Sequence, residues 1–182
     1  MRLMWFDHLE TFPAASRPDL VAGPVAAALP YVPDALVVEI DPAYSDTEAM
    51  CARYGLPMEA SANAVMVSGK REGVARNACC MTLAHRRVDV NNVVKRRLDV
   101  RKASFIPMDE AVEISGMEYG GITPVGLPAD WPVWVDGAVA ETDWVCIGAG
   151  LRGAKLLLPG RALLDLPGAV RVDDLCVTKP GP

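Results

Sequence analysis

The run Gly120-Gly121-Ile122-Thr123-Pro124, inside the longer segment 116–128, constrains this chain more than any other part of its sequence. Adjacent glycines admit positive φ and let another group approach the main chain closely. Pro124 fixes its own φ and biases Thr123 towards extended geometry. Such a run is a corner between strands in many loops, where GG and TP pairs act as punctuation. It can equally aim several N–H groups at one point, which suits a carbonyl oxygen gaining negative charge. Spacing alone leaves both readings open.

The 182 residues, 51% hydrophobic and 23% charged, are enough for one domain with a sizeable core and fall outside the disordered class. No apolar run reaches the length of a membrane span, and Asp7 and Glu10 interrupt the stretch where a signal peptide needs apolar residues. A cytoplasmic protein is therefore expected. Cys51, Cys79, Cys80, Cys146 and Cys176 contain no C-x-x-C pair, so reduced, buried thiols are expected rather than a disulfide framework or a zinc site. With only His8 and His85, a multi-histidine metal centre within one chain is excluded, and a serine–histidine triad has few candidates. His85 is expected at the surface.

The net charge of −5 conceals a basic sector. Residues 70–102 hold ten of the 18 basic side chains (Lys70, Arg71, Arg76, Arg86, Arg87, Lys95, Arg96, Arg97, Arg101 and Lys102) against Glu72, Asp89 and Asp99. A basic sector on an acidic protein suits a polyanion such as nucleic acid, or simply a solvated face.

Residues 1–18 show no clear period and are expected to form an arm or loop; 19–29 suggests a short helix restarted at Pro24. Residues 35–40 form a β-branched run and hence a strand. Ser45 and Glu48 have capping-box spacing, opening a helix to about Tyr54 that Gly55 stops. Its expected core side is Ala49, Met50, Arg53 and Tyr54. Residues 63–68 and 74–84 read as a hairpin joined by a turn over 69–73. A helix over 90–98, capped by Asp89, should bury Val90, Val93, Val94 and Leu98. A strand over 103–106, a helix over 109–115 stopped at Gly116, strands at 132–135, 144–147 and 155–158, and a helix over 161–166 complete the pattern. Gly148-Ala149-Gly150 makes a further permissive turn, Asp136 reads as a structural turn residue, and the chain from 173 is poorly specified. The fold class is α+β, with a mixed sheet that can curl towards a barrel.

Taken together, the hairpin, VDVNNVVKRRL with KASFIPMDEAVEISG, GGITPVGLP and WVCIGAGLRGAKLLL resemble the YbaK and prolyl-tRNA-synthetase-associated editing-domain family over roughly residues 35–170. That resemblance implies a mixed, barrel-like β-sheet surrounded by helices. It divides the chain into an N-terminal arm and short helix (1–34), a single editing domain (35–172) and a tail (173–182). It also implies a trans-acting aminoacyl-tRNA deacylase serving translation fidelity, which removes a wrong amino acid, typically cysteine or alanine, from a prolyl-type tRNA. The family's pocket is floored by a G-x-x-x-P loop, matched here by Gly120 and Pro124. Backbone N–H groups around Gly121 and Ile122 would steady the oxyanion, Thr123 would stand beside it, and the substrate's own ribose hydroxyl would orient the water. Gly148, Gly150 and Arg152 would hold the substrate near the pocket, with Arg152 placed for a phosphate or a structural ion pair. Lys95, Arg96, Arg101 and Lys102 would meet tRNA phosphates. No metal or organic cofactor and no membrane are implied. A synthetase or an elongation factor would be a further partner.

Two departures from the family pattern are visible. A lysine near the start of the first hairpin strand, in a V-F-K-T-like context, is replaced by Asn63, which can hydrogen-bond but carries no charge. Relatives often carry an acid after the later R-G, where this chain has Lys155. If both residues line one pocket, the positive charge has moved from one wall to the other; otherwise Lys155 alternates outwards on an exposed strand. The replacement at Asn63 also keeps open a module of the same fold that binds tRNA or nucleotide without hydrolysis. A weaker alternative is hydrolysis of another small acyl ester or amide.

Overall fold

Side-chain alternation along eleven strands builds two curled sheets and a small third one; the structure, a computed structural model, describes residues 3–179. In chain order the main elements are β1 (Thr11–Pro13), α1 (Gly23–Ala28), β2 (Leu36–Glu39), α2 (Thr47–Tyr54), β3 (Ala62–Arg71), β4 (Val74–Leu83) and β5 (Arg86–Val88). They continue with α3 (Lys95–Leu98), β6 (Ala103–Phe105), α4 (Met108–Ser115), β7 (Val133–Asp136), α5 (Gly137–Ala140), β8 (Val145–Gly148), β9 (Ala154–Leu158), β10 (Ala169–Val172) and β11 (Cys176–Thr178). One sheet has the order β1-β2-β9-β8, the second β10-β7-β4-β3-β6, and the third pairs β11 with β5.

The largest core lies between the two main sheets. Met66 of β3, Cys79 and Met81 of β4, Val133 and Val135 of β7, Ile147 of β8, and Leu156 and Leu158 of β9 meet there. Alternate residues face the opposite way, as the two-residue period requires. Val67, Cys80 and Trp134 pack outwards beneath the 90–98 segment and Cys176. Val38, Cys146 and Leu157 pack outwards beneath Met50 and Cys51 of α2 and beneath Phe6.

β3 positions the functional site. Its ten residues pair with β4 along their whole length, but β6 covers only Val67, Ser68 and Gly69 on the other edge. The start of β3 is thus left open, and there Ser61 forms a single parallel bridge to Cys146 of β8. This bridge joins the two main sheets, so the barrel expected from the sequence is a curled surface that is not closed by continuous pairing among the described residues.

Several expectations meet the structure with differences. The N-terminal arm contributes β1, and Phe6 is buried; three residues ending in Pro13 are too short for a pattern to register. The same brevity hid β11, the exposed Arg171 interrupts the apolar run of β10, and the predicted 161–166 helix is a 3-10 segment, Gly160–Asp165. Residues 1–2 and 180–182 of the predicted arm and tail lie outside the described residues. α2 is capped by Asp46, whose side chain accepts from the amides of Glu48 and Ala49, and not by Ser45. Its buried residues are Met50 and Cys51, with Arg53 exposed. Gly55 ends α2 with φ 66° and Gly116 ends α4 with φ 65°, as expected. The hairpin turn is only Glu72 and Gly73, both at positive φ, a tight geometry that lets Gly69, Lys70 and Arg71 remain in the strand.

Candidate functional site

At the seam between the sheets lies a cavity of about 400 Å3. Its walls come from Ala62, Asn63 and Ala64 of β3, Cys146 to Gly148 of β8, and Lys155 of β9. The segment 43–47 and the glycine loop roof it, with Met108, Tyr119 and Arg152 at its edge. This volume is in the range of small-molecule sites.

The glycine loop is seated on the turn after β8. Gly121 accepts from the Gly150 amide at 2.7 Å, and Gly150 accepts from the Glu118 amide at 2.9 Å. A Cβ on Gly121 would stand 2.7 Å from the Leu151 carbonyl carbon, and one on Gly148 would collide with the carbonyl oxygens of Gly121 and Ile122. Only glycine permits this backbone-on-backbone packing. Gly120 has φ 79°, and a Cβ there would lie 2.9 Å from Ser45 Oγ.

Of the five loop residues predicted to act, Gly120 and Ile122 line the cavity. The Gly121 N–H, expected to face an oxyanion, instead donates to Glu118 at 2.9 Å and closes a turn. Thr123 is fully buried away from the cavity, its hydroxyl has no partner among the described residues, and its amide meets Met117 Sδ at 3.4 Å. Pro124 is buried behind it. Among the described residues, the amides of Gly120 and Ile122 have no protein acceptor.

Lys155 stands on the outward face of β9 yet is only 6% exposed, because the 43–47 segment and the glycine loop cover it. Its Nζ donates to the Ser45 carbonyl at 3.0 Å and to the Gly120 carbonyl at 3.3 Å, tying the two roof segments together. Burial lowers its pKa below that of a free lysine; Cys146 and Asp46 act in the opposite sense and Arg152 reinforces the lowering. Burial pushes the neighbouring Cys146 thiol up to about 12. Such a thiol is neutral at ordinary pH and a poor nucleophile.

Asn63 lines the facing wall. Its Oδ1 accepts from Thr47 Oγ1 at 2.7 Å, which leaves its Nδ2 donors without a protein partner among the described residues. At the mouth, Arg152 stacks on Tyr119 with 5.2 Å between guanidinium carbon and ring centre. Arg152 also donates to the carbonyls of Tyr119 (3.1 Å) and Pro42 (3.2 Å), and its amide donates to Glu118 Oε2 at 2.8 Å. Gly148 lines the cavity, whereas Gly150, at φ 83°, packs on Ala22 behind it.

The structure does not bring the predicted phosphate-binding residues to the cavity. Lys95, Arg96, Arg101 and Lys102 are exposed near the far end of β3, where Gly69 packs on Val100 and Lys102. Asn63 and Gly69 are six steps apart along the strand, roughly 20 Å at the usual rise. Part of the basic sector is internally paired: Arg71 and Arg76 with Asp99, Arg86 with the buried Asp136, and Arg96 with Asp174. Arg97 stacks on Trp134. Lys70, Arg87, Lys95, Arg101 and Lys102 have no ion pair among the described residues, so the surface stays basic.

Sequence reasoning missed Ser45 and Thr47. The polar run Ser45-Asp46-Thr47 between a strand and a helix was a signal, but helix capping absorbed it. Tyr119 and Met108 carried no signal, because only the fold brings them to one rim.

Solved structures share this architecture. One is the hypothetical protein APE2540, with a TM-score of 0.68 and 20% identity over 78% of this chain and 90% of that one. Another was assigned as a candidate trans-editing enzyme for prolyl tRNA synthetase, with a TM-score of 0.68 and 21% identity over 87% of this chain and 96% of that one. No curated protein matches the sequence. The sequence model for the aminoacyl-tRNA editing domain matches residues 41–166, which contain every cavity-lining residue named above.

Proposed function

Because this chain belongs to the aminoacyl-tRNA editing domain family, we propose that it is a trans-acting deacylase that hydrolyses the ester of a mischarged tRNA, of the Cys- or Ala-tRNA(Pro) type. The observation that carries this reading is that Gly120 and Ile122, Asn63, and Lys155 line one cavity although they come from three separate parts of the chain. Water attacks the ester carbonyl carbon, the bond to the ribose oxygen breaks, and that oxygen takes up a proton. The leaving amino acid departs as its carboxylate. An aminoacyl ester is activated enough that a positioned water and support for the oxyanion suffice, with the ribose hydroxyl orienting the water.

In this chain the supporting donors are the amides of Gly120 and Ile122, not that of Gly121. Lys155 fixes the loop through the Gly120 carbonyl and supplies positive potential at the cavity wall. The Asn63 amide donates to the substrate from the facing wall. Arg152 uses two guanidinium nitrogens on carbonyls and keeps further N–H groups for a phosphate at the mouth. Lys95, Arg101 and Lys102 meet phosphates farther along the tRNA, and the pair of Arg96 with Asp174 is exposed enough to yield to one.

A panel of mischarged tRNAs tested against wild type, Asn63→Ala and Lys155→Met is the experiment. Lys155→Met releases the loop that carries the Gly120 and Ile122 amides and is expected to slow kcat by about 100- to 1000-fold, as loss of one oxyanion donor does. Asn63→Ala is expected to act mainly on KM. Circular dichroism establishes that both variants fold. Binding of every tRNA without ester loss by wild type would favour a non-catalytic module, and two variants indistinguishable from wild type would remove both residues from the site.

A further inference from the structure

Between the cavity and the cations assigned to tRNA phosphates lies an exposed edge that the hydrolytic reading leaves without a role. β6 is the edge strand of the five-stranded sheet, and its residue Phe105 is 64% exposed. Phe105 pairs across the ladder with Val67, so the two side chains share a face. Asn63 and Val65 lie four and two residues before Val67 and share that face too. The sequence of side chains leading to the cavity is therefore Phe105, half-buried Val65 and Asn63. Behind Phe105 the chain presents Arg101 and Lys102, both exposed and without an ion pair among the described residues. Ahead of it Met108, 48% exposed, reaches the cavity rim.

An exposed aromatic between unpaired cations and a site entrance is the arrangement that seats single-stranded nucleic acid: the cations follow the backbone and the ring stacks a base. We propose that the β6 edge is the rail for the single-stranded 3′ end of the RNA, with Phe105 stacking a base upstream of the terminal nucleoside and Arg101 and Lys102 holding phosphates. This rests on the deacylase reading for the identity of the RNA, but not on hydrolysis. The distance from Gly69 to Asn63, roughly 20 Å, accommodates at most about six stacked nucleotides at ~3.4 Å each.

The test uses the full chain and an unacylated, fluorescein-labelled single-stranded RNA octamer ending in CCA, with a blunt duplex of the same sequence as comparison. Fluorescence anisotropy is expected to show preference for the single strand. Phe105→Ala should weaken that binding by about 5- to 150-fold, the range seen on removing one base-stacking aromatic, and Phe105→Trp should retain it. Arg101→Ala with Lys102→Ala should reduce the slope of log affinity against log salt by about 1.4. Val170→Ala, an exposed apolar change on the opposite edge strand, should have no effect. The rail is overturned if wild type does not bind the octamer, if Phe105→Ala binds it as wild type does, or if strand and duplex lose affinity equally. It is also overturned if sedimentation shows that Phe105 instead holds two copies of the chain together. An octamer that binds in a Phe105-dependent way, with no ester lost from any tRNA, would sink the hydrolytic reading and leave the rail standing.

Discussion

The hydroxyl of Thr123 is buried without a hydrogen-bond partner among the described residues, while its neighbours Gly120 and Ile122 face the cavity. A buried, unmatched hydroxyl costs stability, and valine has nearly the same shape. Thr123→Val is therefore expected to raise the unfolding free energy by about 1 kcal/mol in urea denaturation, with deacylation of a mischarged tRNA unchanged. A large loss of activity in a fully folded variant would return Thr123 to the site. Lys155 shows how one residue gains its role from its cover. The two-residue period puts it on the outer face of its strand, as an exposed lysine would be, and the 43–47 segment and glycine loop then close over it. That placement could not be read from the sequence, because the covering segments are more than 100 and about 35 residues away.

Helix α2 illustrates which parts of an element a sequence declares. Gly55 was legible, since a left-handed stop favours glycine whatever packs around it. The start was not: Ser45 and Glu48 match a capping box, but Asp46 takes the cap one residue later and leaves the Ser45 carbonyl free for Lys155. Asp46→Ala should lower stability by about 1 kcal/mol in chemical denaturation, while Asp46→Asn, which can still cap, should lose much less. Equal losses would assign the effect to charge near Lys155 rather than to the cap. The helix predicted over 90–98 was legible in extent and in its Asp89 cap, but its first turn is wide, with the Val94 amide bonded to Asp89 five residues back. Strands β3, β4, β7 and β8 were legible as apolar runs rich in β-branched residues, and β9 as a leucine run between turn signals. β1, β10 and β11 were not, because β1 ends in Pro13, exposed Arg171 interrupts the apolar run of β10, and the pairing of β11 with β5 joins segments far apart in the chain.

Across the whole molecule, the five cysteines are free and buried, as the absence of paired spacing suggested. Burial raises Cys79 and Cys146 from 9.0 to about 12 and also raises Cys80 and Cys176. In the unfolded chain these thiols ionise near pH 9, while in the folded protein they keep their protons. The unfolded state thus binds fewer protons between about pH 9 and 12, and stability falls as pH rises through that window. The loss approaches about 1.4 kcal/mol per pH unit for each such thiol. Urea midpoints measured under reducing conditions should be flat for these groups below pH 9 and drop above it, and Cys79→Ala should drop less steeply. A profile for Cys79→Ala parallel to that of wild type would show that this thiol is not responsible.

The Ser61–Cys146 bridge, the one isolated pairing among the described residues, has a consequence for how the shape of the cleft can change. The breadth of the cleft depends on how the two β-layers lean on each other across their shared core, as well as on the groups that line it. Remodelling beneath α2 or under the 90–98 segment would alter the angle between those layers. Substitutions at such remote positions would widen or narrow the cleft while every residue that lines it stays as it is.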